Sequence, residues 1–553
     1  MVENRQKNID PLKGESLSMI TLLDYGAGNV RSVINALEHL GQRVHVVQTP
    51  EDILQADTLI FPGVGAFGSM MGILEEKDYI QPLRRYLAEN RPFLGICLGL
   101  QALFQGSQED PGIPGLGVLA GRVERFQTDL SVPHMGWNQI RAHKASSLFS
   151  GLRGIEHFYF VHSYHVVPDD TDLILTTTDY GQKFVSAVQR GNIWATQFHP
   201  EKSGPVGLHV LHNFLHQSLP GRSSPKLASE NTSLAKRIIA CLDVRSNDQG
   251  DLVVTKGDQY DVRDHGQVRN LGKPVQLAHD YYLQGADEIT FLNITAFRDY
   301  PLTDLPMLQV LRQTSAKVFV PLTIGGGIRD YTDTEGCYHS ALDVAAAYFR
   351  SGADKISIGS DAVDIVQKSL QYGPSGQSSI ESIARVYGNQ AVVISVDPRR
   401  VYVSSPVDVP HQVIETVFPN AHGQRFCWYQ CTVKGGREGR DVDAITLARE
   451  CERLGAGEIL LNCIDRDGTN LGFDLELVQA VCQSVSIPVI ASSGAGRAQH
   501  FVDVFTRTDV EAALAAGIFH RREVPVMDVK KALTGRVPVR FPIPASHEAC
   551  SNP

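Results

Sequence analysis

Apolar positions near the start of the chain fall into short runs separated by amphipathic stretches. SMITLLDY is followed by VRSVINALEHLG, where apolar residues recur every three to four positions. RVHVVQT, TLIFPGVG and RPFLGICLG come next, the last running into LQALFQ. Short apolar runs alternating with helix-period stretches predict an α/β domain built on a mostly parallel sheet. Farther on, FYFVHSYHVV, KFVSAVQ and NIWATQFHPE read as strands joined by short turns. The stretch QSLPGRSSPKLASENTSL, rich in Ser, Pro, Gly and Asn, then interrupts the pattern and reads as an interdomain linker.

Beyond the linker the apolar runs become nearly continuous: IIACLDV, EITFLNI, VFVPLTI, KISIG, AVVISVD, EILLNCI, PVIASSG and AALAAG. Such runs suit parallel strands buried on both faces. They also repeat in order. IIACLDV resembles VVISVDP, LQGADEITFLNI resembles RLGAGEILLNCI, and KVFVPLTIGGGI resembles SIPVIASSGAG, the mark of a duplicated half-domain. Eight strands in two related halves, each followed by a helical stretch, predict a (β/α)₈ barrel, with polar insertions near 331–340, 368–380 and 401–431. The expected organisation is a leader over 1–18, an α/β domain over 19–217, a linker over 218–233, a barrel over 234–540 and a tail over 541–553.

Composition narrows the function. With 553 residues, 42% hydrophobic and 20% charged, the chain has the make-up of a multidomain globular protein, which excludes disorder as its main state. A net charge of −10 offers no global field to nucleic acid or anionic lipid, so an anionic substrate needs a local site. Nine cysteines, an odd number with no C-x-x-C pair, fit a reducing compartment better than a disulfide framework or a zinc site. The charge-free run 477–496 is broken by glutamines, serines and Pro488, and the first residues lack an apolar core. Neither a membrane span nor a secretory signal is expected, and the reading is of a soluble cytoplasmic protein.

Gly95-Ile96-Cys97-Leu98-Gly99 closes one apolar run and opens a helical stretch, the pattern of a nucleophile elbow with Cys in place of Ser. Taken alone, it fits a buried structural cysteine equally well. His199 and Glu201, in FHPE at the end of another strand, add a general base and a carboxylate to hold its tautomer. Gly63 and Gly65, in FPGVG, supply a flexible backbone whose N–H groups can face an oxyanion. Asp24 to Asn29 lacks G-x-G-x-x-G and reads as a tight turn beside this site. His134, His157, His162 and His165 have no metal-ligand spacing and read as structural.

The barrel carries a second set. Asp243 and Asp397 end the first and fifth strands at equivalent places in the two halves, where paired carboxylates can divide acid and base roles. Gly326 and Gly327 with Gly359 and Ser360, and Ser492, Ser493 and Gly494 with Ala516 and Gly517, form two groups of small residues after strands three, four, seven and eight. Small residues let backbone N–H groups approach a phosphate, so the pair predicts a substrate with a phosphate at each end. Asp465 and Asp467, with Gly468, follow strand six as helpers or loop formers. Arg237, Glu288, Lys355 and Glu458 begin strands at the opposite mouth, as a surface ring or a charged gate.

In combination these motifs resemble a known family. PGVGAFG, GICLGLQ, YFVHSY and ATQFHPEKSG resemble the glutaminase part of the imidazole glycerol phosphate synthase family, a class I, triad-type glutamine amidotransferase. KRIIACLDV, PLTIGGGIRD, ISVDP, NCIDRDGTNLGFD and ASSGAG resemble its cyclase part, in the fused order of fungi and plants. The resemblance implies glutamine hydrolysis at Cys97 and passage of ammonia through the gate. The ammonia then reacts with phosphoribulosyl-formimino-AICAR ribonucleotide, giving imidazole glycerol phosphate, AICAR and glutamate. It also implies a lid bearing Lys256 in TKGDQYDVR, docking by Lys202 with Asp354 as a candidate partner, and no metal or organic cofactor. Both halves on one chain imply a functional monomer, and the net charge and the broken apolar run leave no nucleic-acid or membrane partner expected. Ser493 departs from the pattern, standing where such a cradle often has a second glycine.

Overall fold

The computed structural model describes residues 19–26, 28–216, 232–247, 252–255, 263–264, 267–268, 270–294 and 301–542. In the first domain, five strands run parallel in the order Arg43–Val46, Met19–Leu22, Leu59–Gly63, Phe93–Cys97 and Ile193–Thr196. Gln182–Arg190, Ile174–Tyr180 and Arg141–Ala142 extend the sheet antiparallel. The strands that lead to Gly63 and Cys97 are buried along their whole length, as a parallel sheet covered on both faces requires. The helix Val30–His39 covers part of one face with Val30, Val33, Ala36 and Leu37, and the Asn29 side chain caps its start.

The run FYFVHSYHVV does not enter this sheet. It divides into His157–His162 and Tyr164–Pro168, which pair with His134–Gln139 and Gly121–Arg125 in two separate antiparallel ribbons. Apolar periodicity identifies a strand but not its partner, which is set by long-range packing.

The second domain closes on itself. Arg237–Ser246, Glu288–Asn293, Leu322–Gly325, Lys355–Ile358, Val392–Val396, Glu458–Asn462, Val489–Ser492 and Ala512–Ala515 pair in parallel, and the last strand pairs with the first. Ile239, Val393, Leu460, Ile490 and Leu514 fill part of the interior. The third strand begins later than its apolar run. Pro321 lacks the N–H needed for a ladder, and the Phe319 upstream packs with the core of the first domain instead. The insertion at 401–431 belongs to a four-stranded antiparallel sheet, Pro398–Val403, Val413–Glu415, Phe426–Val433 and Glu438–Asp443.

Contacts between the domains share one feature: the barrel residue precedes a strand. Trp137 Nε1 donates to Asp287 O at 3.0 Å, and Val132 N to Ser486 O at 2.8 Å. The Asn35 amide donates to Ser315 Oγ at 2.9 Å, and Gly204 N to Phe319 O at 2.9 Å. The first domain therefore sits on the N-terminal face of the barrel. Lys202 Nζ joins this contact through Asp354, 2.6 Å away, and the Asn29 amide donates to the same carboxylate at 2.7 Å.

Candidate active sites

Cys97 ends its strand at φ +52°, a left-handed backbone that costs a residue with a Cβ of order 1–3 kcal/mol. The residues two positions away on either side, Gly95 and Gly99, must be glycine. A Cβ on Gly99 would lie 2.0 Å from Phe61 O, and one on Gly95 would lie 2.8 Å from Gly99 O. The turn aims the thiol at a buried polar group, with the Gln197 amide donating to Cys97 Sγ at 3.4 Å. His199 Nδ1 donates to Glu201 Oε1 at 2.8 Å, both side chains being buried. Burial disfavours a charged His199. The carboxylate of Glu201 and the sulfur of Cys97 overcome this and hold the imidazole pKa well above its usual range.

The FPGVG turn is gripped from two sides. Tyr25 Oη donates to Val64 O at 2.6 Å, and on the barrel side the Gln390 amide donates to Gly65 O at 3.4 Å. Gly63 has no room for a side chain, since a Cβ would lie 2.5 Å from that of Leu98, and Gly65 sits at φ +138°. Just beyond, Glu109 and Asp110 accept from the N–H groups of Phe67 and Gly68 and anchor the helix Phe67–Glu76. Burial pushes the Glu109 carboxyl up to about 7. Sequence reasoning missed Gln197, Tyr25 and Glu109. Gln197 lies inside the ATQFHPE motif and Tyr25 inside the Asp24–Asn29 turn, whereas Glu109 carried no signal. His134, His162 and His165 are buried and His157 is half-buried; His134 stacks between Phe160 and Tyr180, with ring centroids 4.9 and 3.9 Å away.

Between this site and the barrel interior lies the charged set. Arg237 bonds Glu288 at 3.1 Å and also Glu458; Lys355 bonds Glu288 at 2.8 Å and Glu458 at 2.6 Å. All four are 1% exposed or less, so they form a buried, charge-balanced ring and not a surface one. Burial opposes ionisation of Glu458, but Arg237 and Lys355 hold its pKa below the usual carboxylate value. Met135 Sδ, from the first domain, lies 3.5 Å from Lys355 Nζ. Tyr159 links the two regions: its carbonyl accepts from His199 N at 2.9 Å, and its phenol feels the charges of Glu288, Arg237 and Glu458.

At the opposite mouth a cavity of about 650 Å³ gathers Asp243, Asp397, both groups of small residues, Asp467 and Gly468. Asp397 Oδ1 accepts from the Asn462 amide at 2.8 Å. Burial nevertheless keeps its pKa above the usual value, with nearby Asp467 adding to the rise. Gly326, and Gly494, which aligns with Gly327 in the repeat, leave no room for a side chain: at φ +96° and +95°, a Cβ on either would lie 2.3 Å from the carbonyl oxygen of Asn293 or Gly472. Ser493 holds φ +73° despite its side chain. Asp465 stays a loop former, accepting from Arg400 N at 2.6 Å. Lys256 lies outside the described residues.

Comparison with known proteins agrees with this division. Residues 21–218 match the family model described as Glutamine amidotransferase class-I, and residues 237–525 match the one described as Histidine biosynthesis protein. The chain is 59% identical over 533 residues to Imidazole glycerol phosphate synthase hisHF, chloroplastic, of Arabidopsis thaliana, covering 95% of this chain and 90% of that protein. It is 55% identical to Imidazole glycerol phosphate synthase hisHF of Emericella nidulans, covering 94% of this chain and 98% of that protein. For the Schizosaccharomyces pombe protein of the same name the identity is 54%, with coverage of 93% and 98%. Among the described residues no helix is long and apolar enough to cross a membrane. The chain belongs to the fused imidazole glycerol phosphate synthase family, bifunctional enzymes of histidine biosynthesis with glutamine amidotransferase and cyclase activities.

Proposed function

We propose that the Cys97 thiolate attacks the side-chain amide of glutamine, with His199 passing a proton to the departing ammonia and Glu201 holding the imidazole in place. N–H groups of the Gly63–Gly65 turn stabilise the oxyanion. Water releases glutamate from the thioester. Ammonia passes Tyr159 and Met135, crosses the ring of Arg237, Glu288, Lys355 and Glu458, and enters the barrel.

In the upper cavity, phosphoribulosyl-formimino-AICAR ribonucleotide lies with one phosphate in each cradle. Ammonia adds to its ribulosyl carbonyl, water is lost, and ring closure releases imidazole glycerol phosphate and AICAR. Asp397, with its raised pKa, acts as proton donor and Asp243 as acceptor. The whole is read as one polypeptide acting as a monomer in the cytoplasm, without metal or organic cofactor. The plant relative's name places that protein in the chloroplast.

The observation that carries this reading is the buried, charge-balanced ring between a thiol site below and a two-carboxylate cavity above. Cys97→Ala is expected to abolish product formation from glutamine while leaving cyclisation driven by concentrated ammonium salts at high pH. Loss of both activities in a folded variant would contradict two separate sites.

A further inference from the structure

Backbone N–H groups alone would make the two phosphate cradles nearly alike, because they descend from one repeated half. Their surroundings differ. Among the described residues, Arg245, Arg329, Lys434, Arg437 and Arg521 line the cavity. Lys434 belongs to the first cradle, its N–H donating to Ser360 Oγ at 3.1 Å. Arg521 stands at the second. It directly follows the short helix Gly517–His520. A Cβ on Gly517 would lie 2.8 Å from its Nη1, so glycine there leaves the space into which the guanidinium leans.

The guanidinium is also aimed. Glu523 takes its Nε and Nη2 at 2.7 and 3.0 Å, and Asn470 Oδ1, in the cavity wall, lies 3.5 Å from Nη2. A planar fork held in this way keeps its plane in a set direction beside the second cradle, which a flexible ammonium would not do. In the other half-barrel, the Gly359-Ser360 turn aligned with Ala516-Gly517 places Asp364 at the position of Arg521, and that carboxylate is engaged by Arg440 at 3.4 Å. The duplication has thus been broken by a change of charge beside one cradle.

We infer that Arg521, oriented by Glu523, is a side-chain ligand for the phosphate held by Ser492–Gly494 and Ala516–Gly517, and so helps set which end of the substrate enters which cradle. This rests on the cyclase reading above. If Arg521 and Glu523 were instead only an exposed ion pair, they would contribute little to anything.

The test is ammonium-driven cyclisation by the full chain carrying Arg521→Gln or Arg521→Lys. Losing one charge-assisted phosphate contact should raise the KM for the nucleotide by about tenfold or more, with kcat changed by no more than about twofold and the lysine variant intermediate. Imidazole glycerol phosphate and AICAR each carry one phosphate, so inhibition by one should weaken in Arg521→Gln while inhibition by the other holds. An unchanged KM, or equal weakening of both inhibitors, would overturn the assignment. That ratio within a single variant is insensitive to general loss of stability. Failure of the unaltered enzyme to form product would count against the cyclase reading instead.

Discussion

At the scale of single residues, chemistry that depends on residue type is legible in the sequence itself. A cysteine between glycines, a His-x-Glu pair and two aspartates on equivalent strands of the two half-barrels stand out by type alone; the structure brings the two aspartates to one cavity, with Asp243 inside its strand and Asp397 just past the end of its own. Residues that act by position are not legible in this way. Gln197 reaches Cys97 from its own strand end, and Glu109 anchors a helix start far along the chain. Neither type nor spacing announces such contacts. The buried histidines carry a consequence of their own. His134, between two aromatic rings, has its pKa held well below the usual imidazole range by burial and by neighbouring His162, so it is neutral in the folded protein. Its folded pKa lies below its unfolded value, so the unfolded chain binds the extra proton. The stability it allows is intact above about 6.5 and drains away as pH falls. His134→Phe, which keeps the stack, should therefore gain up to about 1.6 kcal/mol on the parent when pH is lowered from about 6.5 to about 5. Urea midpoints at the two pH values measure this. An equal response of the two proteins would mean that His134 is charged or solvated in the fold.

At the scale of elements, the barrel strands were readable because parallel strands buried on both faces leave nearly continuous apolar runs, here twice over. Strand pairing and exact limits were less so. Pro321 postponed the third strand, and Val318 to Val320, apolar by type, precede that strand instead of entering it. The insertion near 401–431 hid a sheet because its partner strands lie on either side of polar turns. Docking of one domain on the other was invisible apart from the suggested Lys202–Asp354 pair. Lys202 directly follows Glu201 in the turn after His199, and Asp354 directly precedes Lys355 at the start of its strand. Lys202→Ala should reduce glutamine-driven turnover more than ammonium-driven turnover. Adding Asp354→Ala should cost less than the sum of the single changes, by at least about 0.5 kcal/mol. Parallel rate measurements with both nitrogen sources check this, and equal losses would show that the pair merely supports folding.

At the scale of the whole molecule, the arrangement answers a problem of protonation. Ammonia has a pKa of roughly 10, like a lysine amine, so near neutral pH bulk water would turn nearly all of it into non-nucleophilic ammonium. The thiol domain is seated on the N-terminal face of the barrel, with a ring of four buried charges between the thiol and the upper cavity, and on the proposed reading ammonia crosses there out of contact with bulk water. The direct measurement of that route uses glutamine labelled with ¹⁵N in its side-chain amide, turned over in excess unlabelled ammonium near neutral pH. If ammonia travels inside the protein, the new imidazole nitrogen carries the label undiluted at every ammonium concentration. Label that falls in proportion to added ammonium would show that ammonia leaves the enzyme before it reacts, and would contradict the internal passage.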